Sequence, residues 1–414
     1  MKGILIILDG LGDLPNKLLN GMTPLEAAQT SNMDFLAARG ELGYMYTVKP
    51  GFIPESDEAI VSMFGNELIS STRGQLEARG TDLKLTRGDL AFRVNFGTID
   101  SLEKGNVIDR RAGRTLTTAE ANVLAKALNK IKLPCQFVLK PTIQHRAALV
   151  FRGGFSDNIS GNDMTYGQGM NLSVEKISKC KPMDDEENTL YTANLVNEFL
   201  EKAYMVLNNH PVNVERVRKG LLPANFLLIR GPGIEPPKLK QYKKWISSNY
   251  MPLEIGFSNV CGMKNYSFEY PELTGIDAYE NLWKGLRKAS KHAINVIKKN
   301  INRADYVYVH IKETDLPGHD NKPVEKKLML EYIDITLFKY LRSIAPQYKI
   351  KVVVTGDHST PCKLKGHSAD PVPVLFYNCG QVPVAKTFSE KEGRKGKLGR
   401  IMGQELLKKV GFVR

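Results

Sequence analysis

Short apolar runs typical of buried β-strands recur along this chain, and runs with helical spacing lie between several of them. The strand-like runs cover residues 3–8, 147–152, 226–230, 305–311, 351–355 and 373–377. The helical patterns cover residues 24–39, 117–131, 190–207, 277–300 and 324–344. Because apolar strands that alternate with amphipathic helices are typical of covered parallel sheets, the pattern predicts an α/β fold: a mostly parallel sheet with helices on both faces.

Carboxylates and histidines follow three of these runs. The residues concerned are Asp9, Asp315, His319, Asp357, His358 and His367. Open α/β sheets bind their ligands at the carboxyl ends of the strands, so we expect these side chains to lie together. Carboxylate oxygen and imidazole nitrogen suit Zn, Mn or Co. A single Asp after a strand is usually a turn former or a helix cap, but three such coincidences favour two metal sites and, with them, phosphoryl chemistry.

The composition limits the classes of protein to which the chain can belong. A chain of 414 residues, 42% hydrophobic and 25% charged, is large enough for two domains of an ordinary globular protein. No apolar run is long enough to span a bilayer, and the first residues lack a signal-type pattern, so we expect a cytoplasmic protein. The five cysteines are scattered and never form Cys-x-x-Cys, which argues against a disulfide framework and a thiolate zinc site.

The formal net charge of +14 is high for a metabolic enzyme. It is compatible with nucleic-acid binding, with an anionic substrate, or with a lysine-rich surface. The lysines are spread over predicted helix faces, and no aromatic-interleaved RNA-binding motif or zinc-finger spacing is present. A solvated basic surface is therefore the preferred interpretation.

The middle of the chain differs from its two ends. Metal-ligand candidates lie on both sides of residues 75–181 and none lies within them. This distribution predicts a smaller α+β domain, over 75–181, inserted into a metal-binding core that comprises residues 1–74 and 182–414.

Ser56 lies in the segment Pro54–Ala59, which precedes a helix-compatible run. At the start of a helix, unpaired backbone N–H groups and the helix dipole favour an anion. A plain N-cap serine is the simplest interpretation. Beside a metal pair, however, the hydroxyl can lose its proton and act as a nucleophile toward phosphate.

Three arginines, Arg110, Arg111 and Arg114, follow Asp109 within five residues. Guanidinium groups bind phosphate and carboxylate oxygens with paired hydrogen bonds, so the segment predicts a site for a phosphorylated or carboxylated ligand. A basic surface turn is the alternative.

Three further basic positions, Arg93 and the pair His145–Arg146, would enlarge this anion site within the same predicted domain. Lys312 lies between the 305–311 run and Asp315, where it can reach a phosphate oxygen or remain solvated.

Motifs along nearly the whole chain resemble the archaeal-type 2,3-bisphosphoglycerate-independent phosphoglycerate mutases of the alkaline phosphatase superfamily. The segments that carry this resemblance include Ile7-Leu-Asp-Gly-Leu-Gly-Asp13, Arg73-Gly-Gln-Leu-Glu-Ala78, Asp109-Arg-Arg-Ala-Gly-Arg114, Thr314-Asp-Leu-Pro-Gly-His-Asp320, Gly356-Asp-His-Ser-Thr360 and His367-Ser-Ala-Asp-Pro-Val-Pro373. The last two are the most specific. The resemblance implies an alkaline phosphatase-like core with a cap domain.

By this resemblance, one metal is held by Asp9, Ser56, Asp357 and His358, and the other by Asp315, His319 and His367. Ser56 is the implied nucleophile, which takes the phosphoryl group from 3-phosphoglycerate and returns it to the 2-hydroxyl. The implied substrate-binding residues are Asp109, Arg110, Arg111, Arg114 and Lys312, with Asp109 a candidate general base. The implied metals are Mn, Mg, Co or Zn, without bisphosphoglycerate.

The sequence departs from the family pattern in three places. Family members usually carry Gly-Ser-Asp-Thr-Ala around the nucleophile, where this chain has Glu55-Ser-Asp-Glu-Ala59. The loop Asn158–Tyr166 replaces a Ser-Asp-Thr-Asp-Pro-His-like stretch, and the region Gly256–Tyr270 also differs. Two alternatives therefore remain: a related phosphatase or phosphotransferase for another small phosphorylated acid, and a nucleic-acid-binding protein on an inactive scaffold.

Overall fold

The computed structural model describes residues 1–67, 73–163, 166–167, 170–171, 176–384 and 386–413. Its strands are β1 (Gly3–Leu8), β2 (Gly40–Tyr46), β3 (Leu90–Ile99), β4 (Val107–Asp109), β5 (Gln136–Pro141), β6 (Arg146–Arg152), β7 (Tyr166–Gly167), β8 (Met170–Asn171), β9 (Phe226–Gly233), β10 (Trp245–Ser248), β11 (Lys264–Tyr266), β12 (Tyr306–Ile311), β13 (Lys351–Thr355), β14 (Val372–Tyr377) and β15 (Gly399–Met402). Residues 164 and 165 of the divergent loop Asn158–Tyr166 lie outside the described residues.

The helices connect these strands. They are α1 (Pro24–Ala27), α2 (Ser31–Ala38), α3 (Ser56–Met63), α4 (Arg73–Arg79), α5 (Thr118–Leu128), α6 (Glu187–Asn208), α7 (Pro211–Arg218), α8 (Pro252–Val260), α9 (Ala278–Asn300), α10 (Asp315–His319), α11 (Pro323–Ile333), α12 (Lys339–Gln347), α13 (Glu390–Lys395) and α14 (Leu406–Lys409). No helix among the described residues is long and apolar enough to cross a membrane.

The larger sheet has eight strands in the order β11-β10-β12-β1-β13-β14-β2-β15. Its central pairs, β12 with β1 and β1 with β13, are parallel, and only β14 runs antiparallel to both of its neighbours. The prediction of a mostly parallel sheet is confirmed.

Both faces of this sheet are covered, as the fully buried strand β1 shows. Ile4, Ile6 and Leu8 pack into a core formed with α9, α11 and α12. Leu5 and Ile7, which point to the opposite face, pack into a second core formed with α3, α8 and α14. Alternation of side chains along a strand therefore explains why this run is apolar throughout rather than at every second residue.

A second sheet forms from β3, β4, β5, β6 and β9, and all of its pairs are antiparallel. Helices α5 and α6 pack against it in a separate apolar core. The predicted inserted domain over 75–181 stays a prediction. Because β9 pairs with β3, and α6 packs on β9, we propose that the inserted unit extends beyond residue 181 to residue 233.

Two predicted helices are interrupted. The pattern over 24–39 forms α1 and α2 because the backbone is extended at Ala28, with φ −75° and ψ 143°. The pattern over 324–344 forms α11 and α12, joined by one π-helical turn at Asp334–Phe338. Apolar spacing alone does not reveal such breaks, since the same face stays buried on both sides of them.

Candidate active site

The pairing of β12, β1 and β13 brings three strand ends to one edge of the larger sheet. Asp9 follows β1, and its N–H donates to the carbonyl oxygen of Ile311 at the end of β12. Asp357 follows β13, and its Oδ1 accepts hydrogen bonds from the N–H groups of Gly10 (3.1 Å) and His358 (3.0 Å). Gly10 has φ +62°, and a Cβ there would lie 2.7 Å from Asp315 Oδ1, so only glycine fits this turn.

Two groups of three possible metal ligands form at this edge. Asp9, His310 and Asp357 make the first, which we call the deep group, and all three are buried. Asp315, His358 and His367 make the second, the outer group. In each group the ligand atoms lie within 4.8 Å of one another.

His319 lies beside the outer group. Its Nε2 is 3.2 Å from Asp315 Oδ2, and its ring centroid is 5.1 Å from that of His367. All six carboxylates and histidines singled out from the sequence thus lie at one edge. His358 bridges the two groups, because its Nε2 is 3.2 Å from Asp9 Oδ1 and 3.4 Å from Asp357 Oδ2.

His319 and the two histidines of the outer group each make a hydrogen-bond contact through Nδ1. In His367, this atom is 2.9 Å from the carbonyl oxygen of Pro54. In His358 it is 3.0 Å from Oγ1 of Thr360, whose hydroxyl donates to Asp315 (2.7 Å), and in His319 it is 3.3 Å from the carbonyl oxygen of Lys365. Metal-bound histidines are typically held in this way, with the other ring nitrogen left for the ion.

Burial and opposite charges shift the pKa values of this edge in different directions. Burial alone would raise the pKa of Asp357, but His358, His310 and Lys312 hold it well below its usual value. Burial and the neighbouring Asp357 raise the pKa of Asp9. Burial would lower the pKa of His358, but Asp357 and Asp9 raise it to about 9. Excess buried negative charge therefore attracts protons here, as it would attract a cation.

Ser56 is the first residue of α3, as the sequence indicates. Its Oγ lies 3.4 Å from Nε2 of His358 and accepts a hydrogen bond from Nζ of Lys312 (3.1 Å). The hydroxyl therefore lies beside the ligand groups, at the positive end of a helix.

Lys312 contacts three acidic or polar groups. Besides Ser56, its Nζ pairs with Asp9 and with Glu254 (2.9 Å). Burial alone would lower the pKa of this ammonium, but the carboxylates of Asp9 and Glu254 raise it, so Lys312 stays protonated.

Arginines form the opposite wall of the same pocket. The pocket offers about 150 Å³, roughly ten times the ~10–15 Å³ that one water needs. The arginines that line it are Arg73, Arg93, Arg111, Arg114, Arg146 and Arg230. Burial and neighbouring arginines lower the pKa values of Arg73, Arg93 and Arg146, the last to about 10. So much positive charge around a small cavity suits a ligand with more than one anionic group.

Two of these arginines are engaged by Glu55, the residue before Ser56. Its carboxylate pairs with Arg73 and accepts a hydrogen bond from Arg230 (2.8 Å). Arg73 also donates to Asp57 (2.6 Å). The carboxylate of Glu55 thus occupies donor groups that would otherwise face an anion in the pocket.

Only part of the predicted anion-binding segment, residues 109–114, lines the pocket. Arg111 and Arg114 line the pocket, and Arg114 pairs with Asp320 (2.6 Å). Asp109 and Arg110 do not line it: Asp109 accepts hydrogen bonds from the N–H groups of the following loop, and Arg110 pairs with Asp163. Their contact with substrate stays a prediction, and the geometry gives it no support.

The sequence alone did not single out His310, Arg73 or Arg230 as site residues. A signal existed for two of them, since His310 and Arg230 are polar residues near the ends of otherwise apolar strand runs. Arg73 follows no strand run, although it begins the segment Arg73-Gly-Gln-Leu-Glu-Ala78 that carries part of the family resemblance.

The chain is similar to known proteins over nearly its whole length. The family model described as 2,3-bisphosphoglycerate-independent phosphoglycerate mutase matches residues 37–213. A relative of that name from Pyrococcus furiosus is 39% identical over 413 residues, which is 98% of this chain and 95% of the relative. Another from Methanocaldococcus jannaschii is 36% identical over 98% of this chain and 96% of its own length.

Solved structures give a similar result. A protein from Pyrococcus horikoshii superposes with a TM-score of 0.75 at 31% identity, over 100% of this chain and 98% of its own. A cofactor-independent phosphoglycerate mutase from Thermoplasma acidophilum gives a TM-score of 0.57 at 29% identity, over 99% of this chain and 98% of its own.

Proposed function

The chain belongs to the 2,3-bisphosphoglycerate-independent phosphoglycerate mutase family, whose members are isomerases, and on that premise we propose that it interconverts 3-phosphoglycerate and 2-phosphoglycerate through a phosphoserine at Ser56. The observation that carries the proposal is the position of the Ser56 hydroxyl. It lies beside His358 and Lys312, and it opens into the pocket lined by six arginines. A nucleophile between a cation-binding edge and an anion-binding wall is suited to phosphoryl transfer.

The ligand groups fit a pair of divalent cations. Three carboxylates and four histidines converge, no thiolate takes part, and the outer histidines are held through Nδ1 with Nε2 directed at the carboxylates. This donor set suits Mn, Co or Zn better than Mg, which prefers oxygen ligands. Bound cations would lower the pKa of the serine hydroxyl and neutralise phosphoryl oxygens. The identity of the metal, the place of the reaction in glycolysis and a cytoplasmic location stay predictions.

The transfer takes two half-reactions. In the first, Ser56 Oγ forms a bond to phosphorus while the bond between phosphorus and the 3-oxygen of the substrate breaks, and that oxygen takes up a proton. In the second, the 2-hydroxyl of the glycerate loses a proton and bonds to phosphorus as the Oγ–phosphorus bond breaks. The ammonium of Lys312, 3.1 Å from Oγ, would stabilise the serine alkoxide that begins and ends the cycle.

Isomerisation requires that glycerate stays bound between the two half-reactions while water is excluded. We assign this to the arginine wall, half of whose members lie on strands of the second sheet: Arg93 on β3, Arg146 on β6 and Arg230 on β9. Two or more guanidinium groups can hold the carboxylate of glycerate while the molecule turns, so that its 2-hydroxyl replaces its 3-hydroxyl beside the phosphoserine. The second sheet with its helices would then act as the cap of the site.

A related phosphatase or phosphotransferase for another small acid is the second candidate. The observation that favours it is Glu55, which pairs with Arg73 and Arg230 at the place where an anionic substrate would bind. A carboxylate there reduces the positive charge offered to phosphoglycerate, and so the preferred acid can differ.

Phosphorus NMR separates the candidates. Purified protein with Mn²⁺ and 3-phosphoglycerate, without bisphosphoglycerate, should produce 2-phosphoglycerate until the two reach equilibrium. Release of free phosphate without isomerisation would favour the phosphatase. If 3-phosphoglycerate stays unchanged, it is not the substrate. Ser56→Ala should abolish turnover. Ser62→Ala is its matched control, since Ser62 lies on the same helix with a buried hydroxyl that has no hydrogen-bond partner among the described residues. It should retain turnover.

A further inference from the structure

Glu77 is a buried carboxylate to which the proposed reaction assigns no role. It lies on α4, is 1% exposed, and lines the pocket together with Arg93. Both of its carboxylate oxygens are buried, and neither has a hydrogen-bond partner among the described residues. Its ion pair with Arg93 is long, since Oε2 is 3.7 Å from Nη1, whereas a charge-assisted hydrogen bond measures about 2.7–2.9 Å. A buried carboxylate with unmatched lone pairs is costly unless a ligand supplies the missing donors.

The other carboxylates of the pocket are already engaged. Glu55 pairs with two arginines, Glu254 pairs with a lysine ammonium (2.9 Å), and Glu313 accepts a hydrogen bond from a tyrosine hydroxyl (2.6 Å). The two aspartates of the pocket belong to the groups of possible metal ligands. Among the described carboxylates that line the pocket, Glu77 alone has no hydrogen bond and no ion pair shorter than 3.7 Å. It is therefore the acceptor that remains for a ligand.

The negative charge of Glu77 acts on three arginines of the wall. Burial lowers the pKa values of Arg73, Arg93 and Arg146, and the charge of Glu77 acts against this shift in each of them. Glu77 thus helps to keep these guanidinium groups cationic around one small pocket. A role as counter-ion alone would still leave both carboxylate oxygens without a hydrogen bond, and it does not explain why the side chain lines the pocket.

The ligand of the proposed reaction carries one suitable donor. The ionised phosphate and carboxylate groups of phosphoglycerate are acceptors, which the arginines and the cations would bind. Its single hydroxyl, on carbon 2 of 3-phosphoglycerate and on carbon 3 of 2-phosphoglycerate, is a donor. We propose that Glu77 accepts the hydrogen bond of this hydroxyl while the neighbouring arginines bind the charged groups. The inference rests on the proposed function, and it makes Glu77 the residue that selects phosphate esters of hydroxy acids over analogues without the hydroxyl.

Binding of two ligands that differ only in this hydroxyl tests the inference without reference to turnover. Calorimetric titration of Mn²⁺-loaded Ser56→Ala, which cannot form the phosphoserine, gives the Kd of 3-phosphoglycerate and that of 3-phosphonooxypropionate, its analogue without the 2-hydroxyl. Ser56→Ala should prefer 3-phosphoglycerate by about 10-fold or more, because the analogue leaves Glu77 unpaired. Ser56→Ala with Glu77→Met should bind the two ligands about equally, since methionine has a similar length but no carboxylate.

Ser56→Ala with Glu120→Met is the matched control. Glu120 also pairs with an arginine, but it does not line the pocket, so this protein should keep the preference for 3-phosphoglycerate. Thermal unfolding shows whether each variant folds. If the Glu77→Met variant does not fold, Glu77→Gln replaces it. Its amide oxygen is a weaker acceptor than a carboxylate, so the preference should fall by about 3-fold or more.

An unchanged preference in the folded Glu77 variant would overturn the inference. A counter-ion role alone would give this result, because both ligands would then change in affinity by the same factor. If Ser56→Ala does not bind 3-phosphoglycerate, the proposed substrate and the role of Glu77 fail together. If the preference is lost as expected but wild type leaves 3-phosphoglycerate unchanged in the phosphorus NMR assay, the mutase proposal fails and the assignment of Glu77 stands.

Discussion

The two walls of the pocket are built by different rules. On the metal side, Asp9, His310 and Asp357 come from strands that are neighbours in one parallel sheet, so strand pairing fixes their distances. On the arginine side, Arg73 lies on α4 and Arg230 lies on β9, two elements that are far apart in sequence. The first wall attracts cations and the second attracts anions, and Ser56 lies between them.

This contrast has a consequence for function. Regular sheet geometry fixes the spacing of the proposed metal ligands, as two-metal chemistry would require. In the arginine wall, Arg93, Arg146 and Arg230 come instead from the second sheet, and they would bind the substrate rather than the metals. We therefore expect changes at the first wall to abolish turnover and changes at the second to alter substrate affinity.

The largest effect should follow loss of a ligand from the metal wall. His367→Ala should lose one metal equivalent and reduce turnover by at least about 1,000-fold, since bound cations contribute several kcal/mol to transition-state stabilisation. Metal analysis and phosphorus NMR measure the two effects. His210→Ala, at the start of α7, is the control and should change neither. Full metal content in His367→Ala would remove His367 from the ligand set.

Loss of a guanidinium fork from the arginine wall should have a smaller effect. Arg230→Lys should lower kcat/KM by about 10- to 100-fold, because lysine cannot form paired hydrogen bonds with a phosphate or carboxylate. Metal content should stay at the wild-type level. Arg110→Lys is the matched control, since Arg110 pairs with Asp163 and does not line the pocket. Equal losses in both variants would contradict the division between pocket and loop arginines.

Glu55 offers a test in the opposite direction. Glu55→Gln removes the negative charge that pairs with Arg73 and Arg230. Because the two arginines can then bind the anionic substrate more strongly, KM for 3-phosphoglycerate should fall by about 3- to 10-fold. The nucleophile Ser56 is retained in this variant. Steady-state kinetics measure this change. An increase in KM would mean that Glu55 instead holds the arginines in their binding positions. Glu41→Gln, on β2 and outside the pocket lining, serves as the control.

The smallest effect concerns stability, away from both walls. Burial raises the pKa of Glu390 from 4.5 to about 7, where its carboxyl group accepts hydrogen bonds from Thr23 and from the N–H of Asp13. The folded protein therefore holds a proton that the unfolded chain has released, and the free energy of unfolding should decrease as pH rises from about 4.5 to 7. Glu390→Gln should remove this pH dependence. Chemical denaturation at pH 5 and pH 8 measures it, and an unchanged pH dependence would exclude Glu390 as its source.

The difference between the two walls also explains what the sequence could predict. Apolar runs followed by Asp9 and Asp357 indicated strands, and adjacent parallel strands place such residues at one edge. Helix α3 with Ser56 at its start was predictable from local signals. His310 was not identified, because a single histidine in a strand usually packs in the core.

The arginine wall was only partly predictable. Asp109 and Arg110 lie in the most conspicuous basic segment, yet loop geometry turns them to Asp163 and to backbone N–H groups. Arg230 reaches the pocket through the pairing of β9 with β3, across a sequence separation that no local pattern reveals. A cluster of arginines in the sequence is therefore a weaker indication of an anion site than polar residues at the ends of strands.

The most direct test of the account is to trap the intermediate. Protein loaded with Mn²⁺ is mixed with 3-phosphoglycerate, quenched in acid within milliseconds, digested, and the peptide that contains Ser56 is examined by mass spectrometry. The account predicts a phosphoryl group on Ser56 that appears before 2-phosphoglycerate accumulates. Isomerisation that proceeds with Ser56 unmodified at every quench time, or with phosphate on another residue, would contradict it.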